Sequence, residues 1–334
     1  MVTATGFRVL VTGGAGYIGS STAHLLARRG HHVVIVDDLS RGHAHNAGRL
    51  PFHKLNIGET AALTGLLASE RIDAVIHFAA YIAVGESTAR PELYFSNNVG
   101  GTLSLLSAMS HAQVKRLVFS STAAVYGTPD VSPIPEDAPI SPMSPYGESK
   151  AMVEAILRSL DQFSGLRSVV LRYFNACGSD PESGLGEEHD PETHLIPLLM
   201  RAIVTGKPMT IFGDDYSTPD GTCVRDYIHV ADLAEAHLLA LQHLMSGGAS
   251  DSFNVGTGKG NSVLEVVRAV EEVTGRTVPY QMGPRRAGDP TELVANSDKL
   301  KRTLGWRPKF GDLVAIAESA WAFEKKRMAG AAPA

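Results

Sequence analysis

The stretch Phe7-Arg8-Val9-Leu10-Val11-Thr12-Gly13-Gly14-Ala15-Gly16-Tyr17-Ile18-Gly19 decides how the rest of the chain is read. Its first five residues form a short apolar run rich in β-branched side chains, the pattern of a buried strand. A glycine-rich break follows, and Ser20 to Arg29 then shows helical patterning that stops at Gly30. A second apolar run, Val33-Val34-Ile35-Val36, ends in Asp37-Asp38. Each part of this strand, turn, helix and strand has a physical task. Gly13 permits the tight turn, Gly16 leaves room for a pyrophosphate, and Gly19 lets the helix pack on the strand. The helix N-terminus offers free N–H groups and partial positive charge to phosphates. Asp37, at the tip of the second strand, suits the two hydroxyls of an adenosine ribose and repels a 2′-phosphate. NAD is therefore expected rather than NADP. Arg41 argues the other way, since a nearby Arg can receive a 2′-phosphate, but Asp37 outweighs it.

Outward from this unit, strands and helices alternate. Arg41 to Lys54 reads as a polar loop, Thr60 to Ser69 as a helix, and Ile72 to Phe78 as a strand followed by the small Ala79-Ala80. Glu92 to Met109 is a helical stretch and Arg116 to Ser121 a strand. Pro129 to Pro145 is a proline-rich loop before a helix from Tyr146 to about Phe163, and Ser168 to Tyr173 is a further strand. This alternation predicts an α/β fold with a doubly wound parallel (Rossmann) sheet. The texture changes after Asn175, where an acidic, Gly-rich loop precedes shorter irregular elements. Residues 1–175 are read as an NAD-binding domain and 176–330 as a smaller α/β substrate domain, with a segment near 224–258 returning to the first. The returning strand is expected at Ser252 to Gly256. Met328 to Ala334 is an Ala-rich tail with no assigned structure.

The 334 residues carry a net charge of −5, so no basic field marks a nucleic-acid binder. Two cysteines, Cys177 and Cys223, make no disulfide framework and fit a cytoplasmic setting. No apolar run suggests a membrane span or a signal peptide.

A second signal is Tyr146-Gly147-Glu148-Ser149-Lys150. Positions four apart share a helix face, so the phenol and the ammonium are neighbours, and a cation favours the phenolate. Lowering a Tyr pKa from about 10 to near 7 takes roughly 4 kcal/mol of differential stabilisation. Lys150, with the positive nicotinamide of an oxidised cofactor, is expected to supply it. Ser120-Ser121-Thr122 at the end of the preceding strand completes a proton-transfer site beside a dinucleotide.

With these residues in place, nearly the whole chain resembles the extended short-chain dehydrogenase/reductase family, and within it the epimerases that invert C4 of a UDP-hexose. The similarity rests on Val11 to Gly19, Val84-Gly85-Glu86-Ser87, Asn97-Asn98-Val99 and Ser144-Pro145-Tyr146-Gly147. It rests further on Leu171 to Asn175, Ile211 to Tyr216, Val224 to Val230 and Pro284 to Asp289. The last three of these are the more specific to epimerases. The resemblance implies interconversion of UDP-glucose and UDP-galactose through a 4-keto sugar, with retained NAD and a homodimer. Two long helices per subunit, Glu92 to Met109 and Tyr146 to Phe163, are expected at one edge of the sheet as the dimer surface.

It also implies roles. Tyr146 is the acid/base, Lys150 orients the nicotinamide ribose, and Thr122 hydrogen-bonds the sugar's 4-hydroxyl. Gly13, Gly16, Tyr17, Ile18, Gly19, Asp37, Asp38, Asn56, Ile57, Phe78, Ala79, Ala80, Asn97, Ser120 and Tyr173 fall at cofactor positions. Asn175, His194 and Leu195 hold the sugar nucleotide. Phe212 packs on uracil near Met209 and Thr210, Arg225 and Arg286 clamp the diphosphate, and Asp289 takes the uridine ribose. Phe174 joins Tyr173 in walling the sugar pocket, and Leu293 faces the sugar's C2 substituent. Two positions depart from the family: Asn56 replaces an adenine-contacting acid, and Ile82 replaces a Lys that touches the cofactor.

A nucleotide-sugar 4,6-dehydratase of the same family would need an Asp-Glu pair after the Thr, and this chain has Ala123-Ala124. A non-catalytic NAD sensor would have no need of Tyr146 and Lys150. An epimerase of another UDP-sugar, an N-acetylhexosamine or a pentose, is the remaining alternative. No metal is expected. His31, His32, His43 and His45 have no ligand framework. Glu187-Glu188-His189-Asp190 with His194 offers groups for a cation but reads rather as a solvated acidic loop over the substrate mouth.

Overall fold

A computed structural model describes residues 6–286 and 289–331. The chain opens with β1 (Arg8–Thr12), α1 (Tyr17–Arg28), β2 (His32–Asp37), β3 (Phe52–Lys54), α2 (Thr60–Ser69), β4 (Ala74–His77) and α3 (Val84–Ala89). Next come α4 (Pro91–Tyr94), a π-helical turn (Phe95–Gly100), α5 (Gly101–His111), β5 (Arg116–Thr122), α6 (Pro145–Ser164), β6 (Arg167–Tyr173) and β7 (Asn175–Cys177). The remainder holds α7 (Leu195–Thr205), β8 (Met209–Phe212), β9 (Val224–His229), α8 (Val230–Met245), β10 (Asp251–Val255) and β11 (Gly260–Ser262). It closes with α9 (Val263–Thr274), β12 (Tyr280–Gly283), β13 (Glu292–Leu293), α10 (Asp298–Leu304) and α11 (Leu313–Ala331).

Seven strands form one parallel sheet in the order β10-β6-β5-β4-β1-β2-β3. The chain runs outward from β1 in both directions, so the carboxyl ends of β1 and β4 part at a topological switch point. The expected strand near residue 252 does return, pairing β10 with β6. One face of the sheet is covered by α1 and α8, through Leu25, Leu26, Leu233 and Leu241. Leu300 and Trp306 from far down the chain join that layer, and the Trp306 indole donates to the Asp232 carbonyl at 2.9 Å. The other face is covered by α2, α5 and α6 through Leu63, Leu105, Val153 and Leu157. A separate core, with Ile196, Leu199, Ile211, Val267 and Trp321, is built by α7, β8, α9 and α11.

Local chemistry explains the boundaries. The Ser144 hydroxyl accepts the Gly147 N–H and Pro145 opens α6, which ends at Gly165 in the left-handed region. Ser262 and Glu265 form a reciprocal capping box at the start of α9.

Several expectations are corrected. Helix α1 begins at Tyr17, because the Ser20 N–H already reaches the Gly16 carbonyl. The supposed loop from Arg41 to Lys54 contains a 3₁₀ turn (Ala44–Ala47) and β3, an edge strand too short to show a period. The strand around Ile76 covers only Ala74–His77. Helix α3 had no legible signal, and the expected Glu92–Met109 helix begins at Pro91, widens into the π turn and continues to His111. Helices α5 and α6 lie over a face of the sheet rather than at its edge. The elements after Asn175 are regular, among them the 16-residue α8 and the 19-residue α11, which takes the supposed tail into helix as far as Ala331. Residues 1–5 and 332–334 of the sequence-based spans lie outside the described residues, as do Ala287 and Gly288.

Candidate active site

The glycine turn after β1 is built as its sequence requires. Gly13 has φ of +69°, and a Cβ there would come within 2.5 Å of the Ala79 nitrogen on the strand end across the switch point. A Cβ on Gly19 would meet the Gly13 carbonyl at 2.2 Å, so the helix packs against the turn at glycine distance. Gly16 is the N-cap of α1, and no side chain caps the helix's first N–H groups. They face the switch-point crevice with their dipole uncompensated, a fit for a pyrophosphate.

Asp37 is buried at the end of β2. Its carboxylate accepts from the Ala15 N–H at 3.1 Å and the Leu39 N–H at 2.8 Å. Burial pushes its pKa up, and those two backbone bonds oppose the shift. Each oxygen keeps a lone pair for a ribose hydroxyl. Arg41 is held by Glu86 at 2.8 Å and lies over the Tyr81 ring, so it is engaged away from any 2′-phosphate. Asn56 donates to Asp38 at 2.7 Å and accepts from the Gly58 N–H at 2.8 Å. Its amide oxygen is thus fixed in place by its own loop. With Tyr81 and Asn97 it lines a groove of about 460 Å³. Ile57 is buried against Gly101, and Ile82 is exposed. The π turn carries Asn97 and Asn98; Asn98 clamps both backbone groups of Tyr81 and donates to Ser149 on α6 at 3.1 Å.

Tyr146 and Lys150 sit on α6 beside the carboxyl end of β5, as expected. Burial pushes the Tyr146 pKa up to about 12, and a hydrogen bond with Thr122 opposes it. Lys150 Nζ donates to the Ser120 carbonyl at 2.8 Å and lies 4.9 Å from the Phe119 ring centroid. Burial pulls its pKa down to about 7, with Glu154 opposing. The expectation of a lowered Tyr146 pKa is therefore corrected for the protein alone: desolvation outweighs the Thr122 hydrogen bond, and the Lys150 ammonium is engaged by the Ser120 carbonyl. The Thr122 hydroxyl also accepts from the Ala124 N–H at 3.1 Å. Ser120 bonds the Tyr173 hydroxyl, and Tyr173 meets His237 edge-on. Phe78 lies 4.6 Å from the same His237 ring.

Above the sheet, β8 carries Met209, Thr210 and Phe212, with the Arg286 guanidinium 4.1 Å from the Phe212 ring centroid. Arg225 on β9 pairs with Asp289. Leu293 is in register with Arg225 and packs in the small cluster of Ala123, Val125 and Phe174. Asn175 opens β7 and is exposed. His194 is the N-cap residue of α7, which starts at Leu195, and its ring bonds Glu187 rather than facing free space. The loop before it is only partly solvated: Asp190 is exposed, but the Glu187 and Glu192 side chains are only 4 % and 2 % exposed.

Some functional support had no sequence signal. His77 bridges Thr12 at 2.7 Å and Thr102 at 2.9 Å, tying β1, β4 and α5 beneath the crevice. Glu154 and Arg172 form a buried ion pair at 2.6 Å that also receives the Ser121 hydroxyl. These pairings join residues far apart in sequence, and no local spacing announces them.

The sequence pattern of the NAD dependent epimerase/dehydratase family matches residues 9–256. The chain belongs to that family. It is 47 % identical over 325 residues to the UDP-glucose 4-epimerase of Lactobacillus helveticus, covering 97 % of this chain and 98 % of that one. The crystal structure of UDP-glucose 4-epimerase from Brucella ovis in complex with NAD superposes with a TM-score of 0.92 at 46 % identity, covering 94 % and 97 % of the two chains. A Stenotrophomonas maltophila UDP-glucose-4-epimerase structure, with bound NAD and formylated UDP-arabinopyranose, gives 0.94 at 41 % identity, covering 97 % and 100 %. Among the described residues no helix is long and apolar enough to cross a membrane.

Proposed function

We propose that this member of the family interconverts UDP-glucose and UDP-galactose, with NAD as a retained cofactor. The observation that carries the reading is the Tyr146–Thr122 pair, buried at the end of β5 with Lys150 behind it and Ala123-Ala124 where a dehydratase places its acid and base. The names of the relatives support it, as does the uncapped N-terminus of α1 facing the crevice. NAD held there would supply a reversible acceptor for the C4 hydride, so that the sugar would pass through a 4-keto form.

The chain's own residues do the rest. Tyr146 takes the proton of the 4-hydroxyl and gives it back, and Thr122 holds that hydroxyl in line. Lys150 anchors the cofactor ribose and adds positive charge. Burial raises the Tyr146 pKa to about 12 in the protein alone, and the positive charge of an oxidised nicotinamide would favour the phenolate. Residues 1–175 and the return segment 224–258 hold the cofactor; 176–330 grip the nucleotide. In that grip Phe212 and Arg286 form one stacked wall, and Arg225 and Asp289 a second, charged one. A firmly held UDP and a pocket walled by Ala123, Phe174 and Leu293 leave the hexose free to turn over. Cys177 and Cys223 are free, buried thiols suited to a reducing cytoplasm.

The test is incubation of purified protein with UDP-galactose or UDP-glucose, without added NAD, followed by product separation. Interconversion with no net change in cofactor absorbance is expected. Net oxidation of the sugar, or no product, would overturn the reading.

A further inference from the structure

We infer that Glu187, His189, Glu192 and His194 form a binding site for a divalent transition cation of the zinc type. One ligand atom from each lies within 4.8 Å of the others. The His189 Nδ1 is 2.9 Å from Glu187 Oε1. Yet that nitrogen is buried and makes no hydrogen bond. A basic nitrogen without a hydrogen-bond partner beside a carboxylate oxygen is thus left free to serve a cation. The His194 Nδ1 converges on the same Glu187 oxygen. Glu192 Oε1 stands 3.9 Å from the His189 nitrogen and 4.0 Å from that of His194. Ligand atoms around a tetrahedral zinc, each about 2.0–2.1 Å from the metal, stand roughly 3.3 Å apart, so small adjustments close the shell.

The surroundings are those of a built site. The backbone N–H groups of Thr193 and His194 donate to Glu192 Oε1 at 2.7 and 2.9 Å, fixing that carboxylate. Gly186 lets the loop reach α11, since a Cβ there would fall 2.5 Å from the Phe323 ring. The adjoining pocket, of about 350 Å³, is lined by Glu187, Glu188, Asp190 and Glu192, and also by Arg201 and Arg327. Two imidazoles and two carboxylates, without a thiolate, suit zinc and its first-row neighbours better than the all-oxygen shells of calcium or magnesium.

The location gives the ion a task. His189 meets Tyr17, the first residue of α1, edge-on at 6.3 Å, and the Tyr17 hydroxyl donates to the Gly178 carbonyl at 2.6 Å. His194 sits on the other side as the N-cap residue of α7. A bound cation therefore pins the turn that faces the dinucleotide to the helix that faces the sugar nucleotide.

The experiment uses the full chain, stripped with a chelator and titrated with zinc chloride by calorimetry, with metal content read by mass spectrometry. One zinc per chain and a raised melting temperature are expected for the wild type. His189→Ala and Glu187→Gln should each weaken zinc binding by about 100-fold or more, beyond the 10–100-fold typical of an outer-shell loss. Glu188→Gln, outside the four ligands, should keep one zinc. Cobalt(II) should add visible absorption bands that zinc abolishes. Absence of stoichiometric zinc in the wild type would show an ion-pair network only. Unchanged affinity in folded His189→Ala would equally overturn the proposal, and the wild-type titration stands if a variant fails to fold.

Discussion

Tyr146 and Lys150 carry opposite perturbations from one cause. Burial raises the phenol to about 12 and lowers the ammonium to about 7, because each charged form is short of water. The Tyr146 phenol is therefore un-ionised at neutral pH in the protein alone. Tyr146→Phe should lower kcat by on the order of 100-fold or more, the scale of general acid–base catalysis, while the dissociation constant for UDP stays within about two-fold. Steady-state kinetics alongside UDP titration would check this, and unaltered turnover would remove Tyr146 from the mechanism. Leu293 is the residue on which we propose that sugar choice turns. It packs with Ala123 and Phe174, and its side chain is shorter than a Tyr, which the proposed sugar pocket would otherwise have to accommodate. Leu293→Ser should raise activity on UDP-N-acetylglucosamine and Leu293→Tyr should remove it, with UDP-galactose little changed. Pocket shape of this kind discriminates by roughly 1–3 kcal/mol. Parallel changes on both substrates in competition assays would show that Leu293 is no gate.

At the scale of elements, α5 and α6 bury Leu105, Val153 and Leu157 under the sheet while leaving Leu103 48 % and Met152 40 % exposed. An apolar residue on the solvent side of each of two adjacent helices is a surface suited to a second copy. A homodimer through these helices is the expected assembly. Leu103→Glu combined with Met152→Glu should shift the mass measured by light scattering at micromolar concentration from dimer to monomer. A monomer already in the wild type would count against it. The π turn between α4 and α5 shows how an element boundary escapes local reading. Asn98 in that turn is held by Tyr81 and Ser149, partners from a loop and from another helix. Helical propensity alone describes Glu92 to Met109 as one uninterrupted helix, because those contacts are invisible until the sheet has assembled.

At the scale of the whole molecule, three buried histidines set the response to acid. His77 is pulled down to about 3, and His229 and His237 to about 4, each chiefly by desolvation. An unfolded histidine titrates near 6.5, so the unfolded chain binds more protons than the native one from there down to about pH 4. These groups therefore cost no stability above pH 6.5 and remove it as the pH falls through that window. His237→Leu, which deletes one such group, should show a shallower fall in urea midpoint between pH 6.5 and 4.5 than the wild type; an equal slope would refute the assignment. The local sequence determined the parts governed by near neighbours. Those are the β1–α1–β2 unit with its glycines and Asp37, the Tyr146 and Lys150 spacing, and the alternation that yields a parallel sheet. Such features depend on backbone sterics and helical periodicity, which act over a few residues. Only the tertiary structure decided that Tyr146 is raised, that Trp306 closes a core begun at Val9, and that Glu187, His189, Glu192 and His194 converge in one cluster. Desolvation and convergence belong to the packed molecule, since both depend on what covers a residue rather than on what precedes it.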